Sequence, residues 1–291
     1  MRHRDLSREL FSRRFQNPLL LAAGTAGFGR ELDGVIELDC LGGLVTKAVS
    51  LEPRPGNAPP RVAEFRGGML NSVGLANPGV DRVLQDQLPW LIRRVARAQV
   101  IVNVVGFTVQ EYGEVVSRLD DVPGIAAFEL NLSCPNTSAG GIEFGSDAGC
   151  VRRIVAECRA RTAVPLIAKL SPVLPDIAGM ARVARDAGAD AVTAVNTIPG
   201  TLFNGGSAPR LGHGFGGVSG PVLLPVGLLA VARIVEQVEG MPVIGAGGVR
   251  CAADVRQYLE AGASLVAVGT GALADPRLPE RIVRELERDD G

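Results

Sequence analysis

Lysine is almost missing from this 291-residue chain: Lys47 and Lys169 stand alone, and arginine supplies the rest of the 30 basic residues. Histidine is as scarce, with only His3 and His213, which excludes a multi-histidine zinc site and an H-E-x-x-H protease. The five cysteines (Cys40, Cys134, Cys150, Cys158 and Cys251) are odd in number, and no two stand in C-x-x-C spacing. That argues against a secreted disulfide framework and against a self-contained iron–sulfur cluster. Aromatic residues make up 4% of the chain, with one Trp, too few for a base-stacking platform. Thirty basic residues against 31 acidic ones leave a net charge of −1, so the basic footprint of a nucleic-acid binder is absent. The N-terminus has no apolar h-region, and no uncharged apolar run reaches the ~18 residues of a membrane span. The expectation is a soluble, cytoplasmic chain in a reducing compartment, without membrane contact.

What is present is glycine, 37 residues or about one in eight, against a usual ~7%. Short apolar runs flanked by Gly, Pro or Asn recur at 19–23, 44–49, 100–105, 127–132, 165–170, 191–196, 242–246 and 265–268. Amphipathic stretches lie between them, most clearly at 78–97, 146–161, 176–186, 223–238 and 252–261. About eight continuously apolar strands alternating with helices predict an α/β fold, a (β/α)8 TIM barrel. A doubly wound sheet is the rival, although it seldom alternates strictly through eight units. Connections 50–77, 133–145 and 197–220 exceed simple βα loops, and all three follow strands. They are therefore expected as long inserted loops at the C-terminal face, where barrel enzymes keep their chemistry. With no linker or repeat in view, residues 1–291 are expected to form a single domain.

Both lysines fall inside strand patterns, L-V-T-K-A-V and L-I-A-K-L-S. A buried ammonium needs an anionic partner; a flavin, a phosphate or a substrate carboxylate would serve, and a Schiff-base role remains open. The turns I-G-A-G-G-V (244–249) and V-G-T-G-A-L (268–273) follow the last two strands, the usual phosphate site of the barrel. A strict dinucleotide fingerprint at 212–217 follows no strand, and a loose one at 269–274 has no further βαβ unit after it, so neither has the context that would make it real. The segment N-L-S-C-P-N (131–136) ends a strand and opens a long loop, which presents Cys134 to the barrel mouth. The other four cysteines suit structural burial. Asn71, Asn103, Asn131, Asn136 and Asn196 lie at strand ends or in the first long loop. Carboxamides both donate and accept, matching a ligand whose rim alternates C=O and N–H, as a pyrimidine ring does.

Together with L-E-P-R-P-G-N-A-P-P-R (51–61), N-S-V-G-L-A-N-P-G (71–79), V-N-T (195–197) and G-G-V-S-G-P (216–221), these motifs carry a resemblance. The chain resembles the class 1 dihydroorotate dehydrogenases along nearly its whole length. The segments E-P-R-P-G-N-A-P-P-R and N-V-V-G-F-T-V-Q-E-Y are similar to subclass 1B, the catalytic subunit that works with an iron–sulfur flavoprotein. Class 2 enzymes have Ser as base and an N-terminal membrane-associating extension; here the base position is Cys134 and the first barrel strand begins near Leu19. The resemblance implies (S)-dihydroorotate oxidation to orotate in pyrimidine biosynthesis, with one FMN per chain and no metal. It implies Cys134 as the base at C5, with Lys47 near flavin and substrate. Orotate would be held by Asn71, Asn131, Asn136, Asn196 and Thr197 and by the backbone of Ser72, Val73, Gly74 and Leu75. FMN would contact Ala23, Lys47, Ala48, Asn103, Asn131, Lys169, Val195 and Gly220, with its phosphate on Gly247, Gly248, Gly269 and Thr270. At Ala23 and Ala48 many relatives carry a hydroxyl residue. FAD and a [2Fe–2S] cluster are expected only in a partner subunit, in a heterotetramer built on a homodimer of this chain and linked to NAD.

Three other readings stay open at this point. One is the homodimeric, fumarate-linked class 1A; another is a dihydropyrimidine dehydrogenase-like flavin barrel. The third, of a different class, is a barrel that only binds or scaffolds.

Overall fold

The computed structural model describes residues 5–132, 135, 136 and 142–288, without the side chains of 133–144. Its strands run β1 (Arg8–Leu10), β2 (Arg13–Phe15), β3 (Leu19–Leu21), β4 (Gly43–Val45), β5 (Val62–Phe65), β6 (Gly68–Asn71), β7 (Gln99–Val104) and β8 (Ile125–Asn131). They continue with β9 (Pro135–Asn136), β10 (Ile142–Glu143), β11 (Leu166–Leu170), β12 (Ala191–Ala194), β13 (Ile198–Gly200), β14 (Gly216–Ser219), β15 (Val243–Ala246) and β16 (Leu265–Val268). Strands β3, β4, β7, β8, β11, β12, β15 and β16 pair in parallel in chain order, and β16 returns to β3 to close the barrel. These are the eight apolar runs of the sequence. Each is buried against the barrel interior on one side and helices on the other, which is why none alternates polar with apolar.

Alternate residues point inward. Leu20, Val45, Ile101, Ala127, Ile167, Ala191, Ile244 and Leu265, one from each strand, form a single inner cluster with Phe15. Phe15 belongs to the β1–β2 hairpin, whose Leu10 and Phe11 also pack on this cluster. The hairpin thus plugs the barrel at the end where the strands begin. Its turn residues Phe11 and Ser12 have φ of 58° and 55°, as a two-residue type I′ loop requires. With no Asn-Gly to mark it, that turn is invisible in the sequence.

The helices are α1 (Val80–Arg82), α2 (Leu88–Arg94), α3 (Val109–Leu119), α4 (Ala148–Arg159), α5 (Ile177–Asp186), α6 (Leu224–Gln237), α7 (Ala252–Glu260), α8 (Thr270–Ala274) and α9 (Leu278–Arg288). The stretch expected as one helix over 78–97 is divided: a π-helical turn, Val83–Gln87, joins α1 to α2. Pro89 has no N–H to donate to the carbonyl four residues back, so the wider turn falls just ahead of it. Three helices, α3, α8 and α9, lie outside the five stretches singled out in the sequence. In α3, the Thr108 hydroxyl caps the Glu111 N–H and the Glu111 carboxylate accepts from the Phe107 N–H, so T-V-Q-E is a legible start signal. In α9, buried Leu278, Ile282, Val283 and Leu286 repeat at helical spacing.

The first and third long connections are not loose loops. The excursion after β4 supplies β5 and β6, the one after β12 supplies β13 and β14, and the four make one antiparallel sheet ordered β13-β14-β6-β5. The second connection contains the short β9–β10 pair. All three follow barrel strands and so lie at the C-terminal face.

Candidate active site

Two residues beyond each member of the apolar floor, on the same inward face, stand Ala22, Lys47, Asn103, Glu129, Lys169, Thr193, Ala246 and Ala267. This layer is polar over β4, β7, β8, β11 and β12, whereas over β15, β16 and β3 it holds nothing larger than a methyl group. The polar half is tightly bonded. Glu129, 2% exposed, accepts on Oε1 from Asn103 Nδ2 at 2.7 Å and from Lys169 Nζ at 3.4 Å, and on Oε2 from Thr193 Oγ1 at 2.8 Å. All three donors sit on strands next to or near β8, brought level by the barrel register that sets Asn103 opposite Glu129. Thr46, fully buried, accepts the Asn103 backbone N–H and donates to the Lys47 carbonyl. One atom is left over: Asn103 Oδ1 is buried with no hydrogen-bond partner among the described residues. A buried acceptor in that state calls for a donor from a ligand or an ordered water.

Sequence reasoning expected an external anion for each buried ammonium. For Lys169 the structure supplies Glu129 instead. Lys47 is half-buried with no carboxylate in ion-pair range among the described residues, so its need for an anion stands. Glu129 and Thr193 were both missed. Their signal was available: a lone Glu in the strand I-A-A-F-E-L-N, on the same face as Asn131.

Above this layer the predicted asparagines converge. Asn196 Nδ2 donates to Asn131 Oδ1 at 3.4 Å, and Asn196 Oδ1 accepts the Thr197 N–H at 2.9 Å. Asn71 Nδ2 donates to the Gly217 carbonyl at 3.2 Å, and Thr197 lies against the same glycine, where a side chain would collide with its hydroxyl. Asn71 from β6, Asn131 from the end of β8, and Asn196 and Thr197 from the segment after β12 therefore form one wall. The buried Tyr112 hydroxyl anchors it from behind through the Asn131 carbonyl at 2.6 Å. Residues 72–75 border the wall: the Ser72 carbonyl and hydroxyl both accept from the Asn57 amide. Gly74 and Leu75 have φ of 73° and 58°. Cys134 lies outside the described residues, as does the side chain of Asn136.

The glycine turns meet at the opposite side. Gly247 and Gly248 have φ of +120° and +80°, and a Cβ on Gly248 would stand 2.5 Å from the Leu224 backbone nitrogen. Only glycine fits there. Behind them Tyr258, fully buried, donates to the Gly247 carbonyl at 2.7 Å; burial pushes its phenol up, which keeps it a donor. Gly220, at φ +104°, leads into the turn before α6, and Thr270 Oγ1 donates to Ser219 Oγ at 2.8 Å. Gly220, Gly247, Gly248 and Thr270 are thus neighbours, and Gly269 closes the group beside Ala22. Of the remaining predicted contacts, Ala23 packs at the edge of the inner cluster. Ala48 and Val195 belong to the outer core between barrel and helices, so their reach toward the mouth is through the backbone. Among the described residues no group of three or more His, Cys, Asp or Glu is placed to hold a metal ion, and no helix is long and apolar enough to cross a membrane.

A barrel with a polar half-layer, an asparagine wall and a glycine cradle has close relatives. Residues 5–289 match the family profile described as dihydroorotate dehydrogenase. Proteins from Pelobacter propionicus and Trichlorobacter lovleyi are 42% and 43% identical over 98% and 97% of this chain and 93% and 92% of their own length. One from Desulforudis audaxviator is 45% identical over 94% of this chain and 88% of its own length. All three are described as dihydroorotate dehydrogenase B (NAD(+)), catalytic subunit. Motif order, closed barrel and near full-length identity agree, and the chain belongs to the dihydroorotate dehydrogenase family.

Proposed function

We propose that this chain oxidises (S)-dihydroorotate to orotate in pyrimidine biosynthesis, using one non-covalently held FMN. Electrons then pass to NAD through a partner subunit that carries FAD and a [2Fe–2S] cluster. The observation that carries this reading is the joining of Asn71, Asn131, Asn196 and Thr197 into one wall beside the Lys169–Glu129–Asn103 layer. That wall offers the alternating donors and acceptors a pyrimidine rim needs. The flavin suits the residues present: Asn103 Oδ1 awaits a donor, and the Gly247–Gly248 turn is a cradle that a Cβ would fill.

Bound there, FMN supplies the acceptor for the hydride leaving C6. Cys134 takes the C5 proton, so proton and hydride together leave the C5=C6 double bond of orotate. A free thiol has a pKa of about 8.5 and is partly thiolate near neutrality, which suits a general base. Asn71, Asn131, Asn136, Asn196 and Thr197, with the backbone of residues 72–75, hold the ring and its carboxylate. Lys47, without a protein carboxylate in ion-pair range among the described residues, would provide a cation to flavin and substrate. Lys169 would hold its ammonium toward the flavin, where a cation stabilises the charge gained on reduction. Gly220, Gly247, Gly248, Gly269 and Thr270 would receive the phosphate, and Ala23, Ala48 and Val195 would add backbone contacts.

A single barrel domain over residues 1–291, a cytoplasmic location and a heterotetramer on a central homodimer complete the proposal. With no C-x-x-C in the chain, the cluster belongs to the partner. The visible spectrum of the purified chain, with and without dihydroorotate under anaerobic conditions, tests it. A flavin spectrum bleached by substrate is expected, with FMN released on heating. A chain that takes up no flavin, or that releases FAD, overturns it. Brisk turnover with fumarate by the chain alone would transfer the assignment to a partner-independent enzyme.

A further inference from the structure

Glu129 has no part in the mechanism above, yet a barrel does not bury a carboxylate without consequence. Its three partners are all donors and come from three strands: Asn103 on β7, Lys169 on β11 and Thr193 on β12. Two consequences follow from hydrogen-bond chemistry alone. First, a carboxylate can only accept, so the Asn103 amide must turn its nitrogen to Glu129 and its oxygen away. This is the oxygen left buried and unpartnered. Second, one Lys169 N–H is directed to Glu129 and the ammonium is matched by one negative charge, while its other protons stay available. The layer therefore presents an acceptor at Asn103 and a donor at Lys169, and its own charges balance.

We propose that Glu129 is a positioning residue that fixes this polarity and sets the charge felt by the bound flavin. It selects a ligand edge with N–H facing Asn103 and a carbonyl or ring nitrogen facing Lys169, as the pyrimidine ring of a flavin offers. This rests on the flavin reading above. The Lys169 ammonium draws the reduction potential up and Glu129 draws it down, so the potential reflects the pair rather than the lysine alone.

The test is redox titration of the holoprotein together with FMN titration of the apoprotein, for wild type, E129Q, K169M and the double variant. In E129Q the Asn103 amide can rotate and the lysine loses its counter-charge. FMN affinity is expected to fall about tenfold or more, the usual effect of a mispaired buried hydrogen bond, and the potential to become more positive. In K169M the potential becomes more negative, and in E129Q/K169M it returns toward wild type. A purely structural Glu129 would lower thermal stability without moving the potential in opposite directions. Wild-type affinity and potential in E129Q would overturn the proposal. Should E129Q alone fail to fold, the double variant lacks the unpaired charge and its potential must exceed that of K169M; equal values would also overturn it. A wild-type chain that binds no flavin would instead remove the flavin reading itself.

Discussion

Replacing Gly248 by alanine tests whether the turn after β15 is a built cradle or merely a flexible link. At φ +80° an alanine is held in the left-handed region, at a cost of about 1–2 kcal/mol. Its Cβ would also stand 2.5 Å from the Leu224 nitrogen and 2.6 Å from the Leu224 Cβ, roughly 1 Å inside ordinary contact. Neither atom is the mobile end of a long side chain. Leu224 opens α6, so the helix or the turn must shift, and overpacking of this kind costs about 1–3 kcal/mol. Gly248→Ala is therefore expected to lose about 2–5 kcal/mol, which for a chain of this size lowers Tm by roughly 5–15 °C. Gly269 is the control, with no positive φ and its nearest atom, the Ala22 Cβ, at 3.5 Å. Gly269→Ala meets no clash, and its backbone at φ −116° and ψ −93° leaves a cost of about 1 kcal/mol, below that of Gly248→Ala. Urea unfolding of both apoproteins, followed by circular dichroism, measures the difference. Gly248→Ala with wild-type stability would show that the turn is not confined as described.

Three further outcomes are expected. Cys134→Ala should slow flavin reduction by dihydroorotate about 10²–10⁴-fold or more in stopped flow, with Cys134→Ser retaining some rate at high pH; wild-type bleaching in the alanine variant would exclude the base role. Burial pushes the Cys158 thiol up to about 12, and burial followed by Glu280 and Glu37 pushes Cys40 up to about 11. Both should therefore escape iodoacetamide at about pH 8 in the native protein, as peptide mapping would reveal. Burial works to raise the Asp39 carboxyl, but the backbone N–H groups of Ala98, Arg97 and Ala96 and the Arg97 guanidinium prevail and hold it below its usual value. Its stabilisation is thus present above the unfolded-state value and lost as pH falls through the lowered native one. Asp39→Asn should cost on the order of 1–2 kcal/mol near pH 7 and progressively less in acid, measured by urea unfolding across that range.

Local pattern was enough to expose the barrel and most of its mouth. Eight strands buried on both faces must be apolar throughout, and that leaves eight runs any reader can count. Lys47 and Lys169 stood out because a chain that writes arginine elsewhere kept lysine inside two strand-like patterns, although β4 ends at Val45 and leaves Lys47 just beyond it. The glycine turns stood out because positive φ leaves few alternatives to glycine at 247 and 248. The tertiary structure decided what no local pattern holds. The β1–β2 hairpin escaped notice because Phe11-Ser12 adopts a glycine-type turn without glycine. The joint sheet of β5, β6, β13 and β14 unites segments separated by more than a hundred residues, and their pairing depends on where the barrel carries each chain end. Asn71 meets Gly217 only through that sheet. Glu129 looked like a stray acid in an apolar strand until barrel register set Asn103, Lys169 and Thr193 around it. Inward direction follows from the period of two within a strand. Which inward residues become neighbours follows from the closure of eight strands, a property of the whole chain.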